Sequence, residues 1–421
     1  MHVYDTDVDH QMIRNTPWLP SRPAEQVNDH IWLSRSNSYP HLITTPDGDV
    51  VINTGANVQG PRHRERFEQA IGRPLNTRAI VITQSHHDHF GGWGAFNAPG
   101  VETIVSASYD KVWAERQRLA AYFGGRRTAG MYDRRLQPGE PITEAGPNAS
   151  LPVPTRYVKE PYRFEVGGRK FEVRQAPAGE SLDGLLVWMP DEATVFCGNL
   201  MGAIYGALPH LSTIRGDRQR SARFFIEDVE ALLALEPELL LTGHDHPVRG
   251  RQKIRDDLTK ITEAVRYIYD WTLDGMAAGR SLEELMGEIR LPAALQPNPG
   301  RGPVSWYVRA VWEEYAGWYR ADTITGLYPN PPRTVWPDLI EMAGGPQALL
   351  ERARTRLATG KAVEALHFTD MILAQDPAQP EALDVEIAAL QALRKADADE
   401  HYDVSRLLEM EIARAKAARG S

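Results

Sequence analysis

The chain has 421 residues, of which 42% are hydrophobic and 24% are charged, and its formal net charge is -9 at pH 7. This composition is ordinary for a globular protein of about two domains, and the acidic excess disfavours nucleic acid and anionic membranes as partners. The single cysteine, Cys197, excludes an intrachain disulfide and a cysteine-based zinc finger.

The amino-terminal segment, MHVYDTDVDHQMIRN, has neither the basic start nor the apolar stretch of a signal peptide. No apolar run approaches the ~20 residues that a membrane helix requires. We therefore expect a cytoplasmic protein.

The first part of the chain alternates short strands and helices. Residues 48–55 (GDVVINTG) predict a turn, a buried strand and a glycine break, and residues 78–83 (RAIVIT) predict a buried strand that leads into QSHHDHFGG. Residues 124–160, rich in Gly, Pro and Arg, predict a long loop. Further strands are predicted at 163–175, 184–189, 194–197 and 239–242, and a helix at 218–235.

The character of the chain changes after residue 250. Residues 254–278 and 305–319 predict amphipathic helices, and residues 338–416 are rich in Ala and Leu with a period near 3.6. We predict a mixed α/β domain over residues 1–250 and an all-helical domain over residues 251–421.

The densest cluster of metal-binding side chains lies directly after a predicted buried strand. Within four residues stand His86, His87, Asp88 and His89, followed by two glycines that allow a sharp turn. Imidazole and carboxylate together suit zinc or iron, whereas the alternative is a solvated histidine-rich turn. The cluster favours a metal site.

This segment resembles the H-x-H-x-D-H-x-G-G signature of metallo-β-lactamase-fold enzymes. Residues 176–191, 211–217 and 239–250 resemble segments of the alkylsulfatases (type III, SDS-hydrolase-like sulfatases), and the part after residue 300 resembles their dimerisation domain. The resemblance covers about residues 28–415. It implies an αβ/βα sandwich of two sheets, followed by a helical domain that forms a homodimer.

The resemblance also implies a set of site residues. One metal site would use Asp88, His89 and His244, and a second would use position 84, His86 and Glu180, with a bridging carboxylate at or next to Asn199. Arg215 would hold the anionic group of the substrate, Tyr132 would lie in the active site, and His210 would lie near the leaving group. From the residues alone, Glu180 is more typical of a surface carboxylate, His210 is equally compatible with a surface position, and Arg215 is compatible with a structural salt bridge.

Two departures from the family pattern affect the metal expectation. Gln84 replaces the first histidine of the signature, and Asn199 stands where a bridging acid is expected. Amide oxygens are neutral and bind metal more weakly than imidazole or carboxylate. We therefore expect one tight Zn²⁺ site, with iron or manganese as alternatives, and a second site that is weak, empty or differently filled. His87 is predicted to pack rather than to bind.

The leading functional hypothesis is metal-dependent hydrolysis of a small, partly apolar ester, specifically an alkyl sulfate. Asp88 would bind the metal and orient the water, and Arg215 would neutralise charge on the scissile group. A lyase, or an iron- or manganese-dependent enzyme for a non-sulfated substrate, is the second hypothesis. A non-catalytic dimeric homologue is the third.

Overall fold

The computed structural model describes residues 23–36, 38–57, 59–122, 151–214, 216, 218, 220–319 and 323–420. The chain forms two compact units. Of the described residues, the first unit takes in those as far as Asn298 and also Val304–Trp312. The second unit takes in Pro299–Pro303 and the described residues from Glu313 onward.

Two sheets make up the centre of the first unit. The strands of the first sheet lie in chain order: β1 (Glu25–Gln26), β2 (Ile31–Leu33), β3 (His41–Thr45), β4 (Gly48–Ile52), β5 (Thr77–Val81), β6 (Glu102–Ser106) and β7 (Arg156–Val158). Strands β1 to β4 are antiparallel, and β4 to β7 are parallel. The carboxyl ends of the parallel strands therefore meet at one edge of the sheet, where ligand sites commonly form.

The second sheet has the order β13-β12-β11-β10-β9-β8. Its strands are β8 (Tyr162–Val166), β9 (Arg169–Gln175), β10 (Leu185–Met189), β11 (Thr194–Phe196), β12 (Leu239–Leu241) and β13 (Val248–Arg249). Strands β11 and β12 are parallel, and the other neighbours are antiparallel. The chain therefore leaves β11 and β12 at the same edge.

The core between the sheets explains why their central strands are continuously apolar. Alternate side chains of a strand point to opposite faces. In β4, Val50 and Ile52 pack between the sheets, whereas Val51 packs on the outer face with Phe67 of helix α1 (Gly60–Ile71). A strand covered on both faces needs apolar residues at every position.

The outer helical layers complete the sandwich. On the first sheet lie α1, α2 (His87–Phe90) and α3 (Tyr109–Arg118). On the second sheet lie α4 (Ala222–Leu233), which begins at the N-cap Ser221, and α5 (Arg251–Ala277). The arrangement confirms the predicted αβ/βα sandwich followed by a helical region.

The domain boundary predicted at residue 250 stays a prediction. The two compact units divide further along the chain. Helix α5 belongs to the first unit because Ile254, Leu258 and Ile261 lie on one face and join the core outside the second sheet. Helix α6 (Leu282–Glu288) and most of α7 (Val304–Tyr315) extend the same core.

The second unit is helical in its described residues. It contains α8 (Trp336–Met342), α9 (Pro346–Ala358), α10 (Ala362–Gln375), α11 (Pro380–Asp397) and α12 (Tyr402–Arg419). The segment Pro299–Pro303 joins this unit through Arg301, whose carbonyl accepts from the Asp403 amide at 2.9 Å and whose guanidinium lies 3.2 Å from the Asp403 carboxylate. No helix among the described residues is long and apolar enough to cross a bilayer.

Candidate metal centre

The loop that carries the histidine cluster is fixed where it leaves β5. Asn53, at the end of β4, has a left-handed backbone (φ 59°), and its side-chain oxygen accepts from the amide of Thr83 at 2.9 Å and from its hydroxyl at 3.1 Å. After Thr83 the chain passes Gln84, and His87–Phe90 forms the single turn α2. Asn53 thus anchors the residue that directly precedes the candidate ligands.

Asp88, His89 and His244 converge at the edge where β5 and β12 end. Their ligand atoms all lie within 4.8 Å of one another. Asp88 Oδ2 is 3.7 Å from His89 Nε2 and 3.6 Å from His244 Nε2. The predicted ligands of one metal site are therefore neighbours in space, although about 155 residues of chain separate them.

His244 is held in place by its own turn. The Thr242 hydroxyl accepts from the amides of His244 at 3.4 Å and Asp245 at 2.9 Å. At Gly243 a Cβ atom would lie 2.3 Å from Asn199 Oδ1 and 2.9 Å from His89 Cε1. Only glycine lets this strand end approach the other site residues so closely.

The chemistry of the three side chains fits a divalent cation. His89 is fully buried, and neither of its ring nitrogens has a hydrogen-bond partner among the described residues. Burial lowers the pKa of His89 to about 4, so its ring is neutral and its lone pair available at pH 7. Burial raises the pKa of the Asp88 carboxyl, but attraction to His89, His244 and His86 outweighs burial and holds that pKa below its usual range. Two imidazoles and a carboxylate match a three-ligand catalytic zinc site.

The residues of the second predicted site also lie together, joined by hydrogen bonds of amide groups. Gln84 Nε2 is 3.0 Å from His86 Nδ1, which is 3.5 Å from Glu180 Oε2. Asn199 Nδ2 donates to Glu180 Oε2 at 2.6 Å and lies 3.0 Å from His244 Nε2. Asn199 therefore stands between the two ligand sets, with amide hydrogens facing groups that could otherwise bind a cation.

His210 shares Glu180 with Asn199. Its Nδ1 lies 3.1 Å from Glu180 Oε1, and Arg220 donates to the His210 carbonyl oxygen. Both His210 and Glu180 are buried, so neither has the surface position that the sequence left open. Arg215 and Tyr132 lie outside the described residues.

Sequence motifs missed several residues of a cleft that Glu180 helps to line. The cleft is open to solvent. It is lined by the apolar residues Val112, Leu119 and Leu182 and by Arg116, Arg218 and Arg220, together with Glu115, Glu180 and Ser181. No sequence motif around Arg116, which lies on α3, indicates that this residue lines a cleft. The cleft combines an apolar wall with three guanidinium groups and two carboxylates, of which Arg218 and Glu115 lie 3.5 Å apart.

His87 differs from its neighbours. Its ring packs edge-on against Phe90, with the centroids 5.9 Å apart, and it is absent from the cluster of converging ligand atoms. A Cβ atom on Gly91 would lie 2.6 Å from His87 Nε2, so the ring lies directly against this glycine. This is the packing position that the sequence predicted.

Comparison with known families gives the class of protein that this fold and site define. The family model described as "Metallo-beta-lactamase superfamily" matches residues 34–244, half of the chain, and the chain belongs to that superfamily. The model described as "Alkyl sulfatase dimerisation" matches residues 281–402. The chain thus combines a metallo-β-lactamase domain with an alkylsulfatase-type dimerisation module, as the sequence resemblance predicted.

Two relatives to which the chain is similar are described as sulfatases. The chain is 25% identical over 336 residues to a linear primary-alkylsulfatase of Pseudomonas sp., covering 74% of this chain and 62% of the relative. It is 24% identical over 338 residues to an alkyl/aryl-sulfatase of Saccharomyces cerevisiae, covering 75% of this chain and 52% of the relative. The chain therefore spans only about half to two thirds of these relatives.

A solved structure shows the same fold over nearly the whole chain. The stereoselective inverting sec-alkylsulfatase Pisa1 from Pseudomonas sp. superposes with a TM-score of 0.78 at 20% identity, covering 94% of this chain and 65% of that one. The likeness extends through the helical region as well as the sandwich. The fold is therefore that of an alkylsulfatase.

Proposed function

We propose that the protein is a metal-dependent hydrolase that cleaves alkyl sulfates into an alcohol and sulfate. The observation that carries this proposal is the convergence of Asp88, His89 and His244 within 4.8 Å at the strand ends. The similarity to alkylsulfatases supports the choice of substrate.

We propose Asp88, His89 and His244 as the ligands of one tight divalent cation, with zinc as the expected metal. A cation bound there supplies a Lewis acid that activates a water molecule near neutral pH. The second carboxylate oxygen of Asp88 would orient that water and take up its proton. Gln84, with an amide in place of an imidazole, makes His86 and Glu180 a weaker second set.

The remaining residues of the site act on the substrate. Glu180, hydrogen-bonded to His210 Nδ1, orients that ring so that its Nε2 can donate a proton to the departing oxygen. The apolar wall of the cleft suits an alkyl chain, and its arginines suit a sulfate group. Arg215 is proposed to hold the sulfate on the strength of the sequence resemblance alone, and Tyr132 to line the site on the same ground.

Metal analysis combined with a substrate panel tests this function. We expect about one equivalent of zinc per chain after purification, and release of sulfate from primary or secondary alkyl sulfates that His89→Ala abolishes. Lactones and phosphoesters serve as the comparison substrates. Failure on all sulfate esters, with His89-dependent cleavage of another ester, would show that the substrate is wrong and the metal centre right.

We also propose that the second unit mediates a homodimer. Large apolar side chains are exposed on it, including Trp318 at 80%, Met342 at 84% and Tyr328 at 64%. Apolar exposure of this extent is typical of surfaces that another protein covers. Sedimentation should give twice the chain mass, and Trp318→Arg combined with Met342→Asp should give the monomer. A monomeric wild-type protein at micromolar concentration would contradict this assembly.

A further inference from the structure

A buried chain of hydrogen bonds leads from helix α1 to the metal-binding loops, at residues to which no motif points. It begins at His63, which is 1% exposed. His63 Nδ1 lies 2.7 Å from Ser34 Oγ, and His63 Nε2 lies 2.9 Å from Ser36 Oγ. Ser36 Oγ donates to the Ser38 carbonyl at 2.7 Å. Ser38 Oγ in turn donates to the backbone carbonyl of Asp88.

The direction of each hydrogen bond follows from the inventory of hydrogens. The hydroxyl of Ser36 has one hydrogen, which goes to the Ser38 carbonyl, so His63 Nε2 must be the donor to Ser36. Burial, and secondarily the positive charge of Arg66, lowers the pKa of His63 to about 3, so the ring is neutral and Nδ1 accepts from Ser34. The histidine is held in one tautomer and one orientation.

The ring also lies against backbone. At Gly55 a Cβ atom would lie 2.6 Å from the His63 ring, so the ring packs directly on this backbone. Gly55 follows Thr54, whose amide donates to the His89 carbonyl at 2.8 Å, and the Gly55 carbonyl accepts from the Gly92 amide at 2.9 Å. His63 is therefore wedged against the segment that supports the loop of Asp88 and His89.

The end of the chain touches both halves of the metal centre. Ser38 bonds to the carbonyl of Asp88, and the amide of the next residue, Tyr39, donates to the Gly243 carbonyl at 2.7 Å. Gly243 directly precedes the ligand His244. Two consecutive residues thus link the loop that follows β5 in the first sheet to the loop that follows β12 in the second.

We propose that the His63–Ser36–Ser38 chain is the positioning device of the metal centre. It sets the spacing between Asp88 and His89 on one loop and His244 on the other, so that the three ligand atoms stay within coordination reach before any cation binds. This inference rests on the proposed metal-binding function and assigns roles to residues that touch neither metal nor substrate.

Zinc affinity, measured by competition with a chromophoric chelator, tests the inference without any assay of turnover. Loss of supporting hydrogen bonds around metal ligands typically weakens metal binding 10–100-fold. We expect Ser38→Ala and Ser36→Ala to weaken zinc binding by about tenfold and to shift the visible absorption bands of the Co²⁺-loaded protein. His63→Gln, which keeps a donor for Ser36, should weaken binding less than His63→Leu.

A matched control separates positioning from general loss of stability. Thr272, in α5, is fully buried, and its hydroxyl donates to the Ile268 carbonyl at 2.7 Å. Thr272→Val should lower the urea midpoint as Ser38→Ala does and leave zinc affinity unchanged. Wild-type affinity in both serine variants, or equal weakening in Thr272→Val, would overturn the inference alone. A wild-type protein that takes up no zinc would overturn the proposed function with it.

Discussion

The side-chain amide of Asn199 donates to Glu180 Oε2 at 2.6 Å, at the point where the two predicted ligand sets meet. An amide hydrogen there satisfies the carboxylate that a cation would otherwise neutralise. Asn199 Oδ1 is buried and has no hydrogen-bond partner among the described residues. This hydrogen bond gives a physical reason for weak metal binding by the second ligand set. The negative charge of Glu180 is already engaged, and Asn199, which lies between the two sets, is neutral.

Restoring both missing ligands should create a second metal site. Gln84→His adds an imidazole, and Asn199→Asp adds a negative charge without adding volume, which matters because Gly243 lies so close to the Asn199 side chain. We expect the double variant to bind two equivalents of zinc where the wild-type chain binds one. Titration followed by elemental analysis measures the stoichiometry, and one equivalent in both proteins would contradict the role given to these amides.

Removing a ligand of the tight site should remove the metal. His89→Ala leaves a buried gap and only Asp88 and His244, so we expect zinc affinity to fall by at least about 100-fold and alkylsulfatase activity to fall to background. His87→Ala is the matched control on the neighbouring residue, since that ring packs on Phe90. Equal loss of metal in the two variants would mean that the loop collapses and that His89 has no special role.

Glu180→Gln should separate metal binding from turnover. The tight site does not include Glu180, so the variant should keep its single zinc. The glutamine accepts only at Oε1, so it cannot accept from both His210 and Asn199. We therefore expect kcat to fall by about 100-fold, the scale of a general acid that is no longer oriented. Zinc content and steady-state kinetics measured on the same sample give both readouts. Loss of zinc together with activity would place Glu180 among the tight ligands.

Stability should fall in acid partly because of His41. This residue, on β3, is 2% exposed, neither ring nitrogen has a described hydrogen-bond partner, and burial lowers its pKa to about 3. Because the folded pKa is below the unfolded value of 6.5, the unfolded state takes up the proton first as pH falls. The stability that neutral His41 contributes is fully present above pH ~6.5. It is lost progressively below that pH, by about 2 kcal/mol at pH ~5.

Urea unfolding of the chelator-treated protein at neutral and acidic pH checks this effect. His41→Leu should lose about 2 kcal/mol less than the wild-type protein on going to pH ~5, since it has no proton to take up. At neutral pH it should be as stable or more stable, because no polar group is left buried without a partner. The same loss in both proteins would show that other groups govern the acid sensitivity.

The sequence predicted those parts of the site that depend on local order. The signature fixed Asp88 and His89 behind a buried strand, and the resemblance added His244 at the end of another. Periodicity could not separate strands in close succession: residues 163–175, predicted as one strand, form the hairpin β8–β9, which turns at Gly167 and Gly168 with positive φ at both. The compact units divide further along the chain than the boundary predicted at residue 250, since helical periodicity does not tell which core a helix such as α5 joins.

Contacts between residues that are far apart in the chain could not be predicted from the sequence. Nothing in the spacing of Ser38 and Asp88, or of His63 and Gly55, indicates that they touch. These contacts depend on how strand ends of two different sheets meet, and short polar residues at such ends are common everywhere.

The route of the chain between the two units determines where the units can be separated. The chain visits the second unit at Pro299–Pro303 and returns for Val304–Trp312, which supplies the buried Tyr307, Val308 and Val311 to the first. A break before residue 304 would open that core, and a break after residue 312 would leave the buried Asp403 without Arg301, a loss of about 3–5 kcal/mol. No single cut in this stretch therefore separates the two units without damage to one of them.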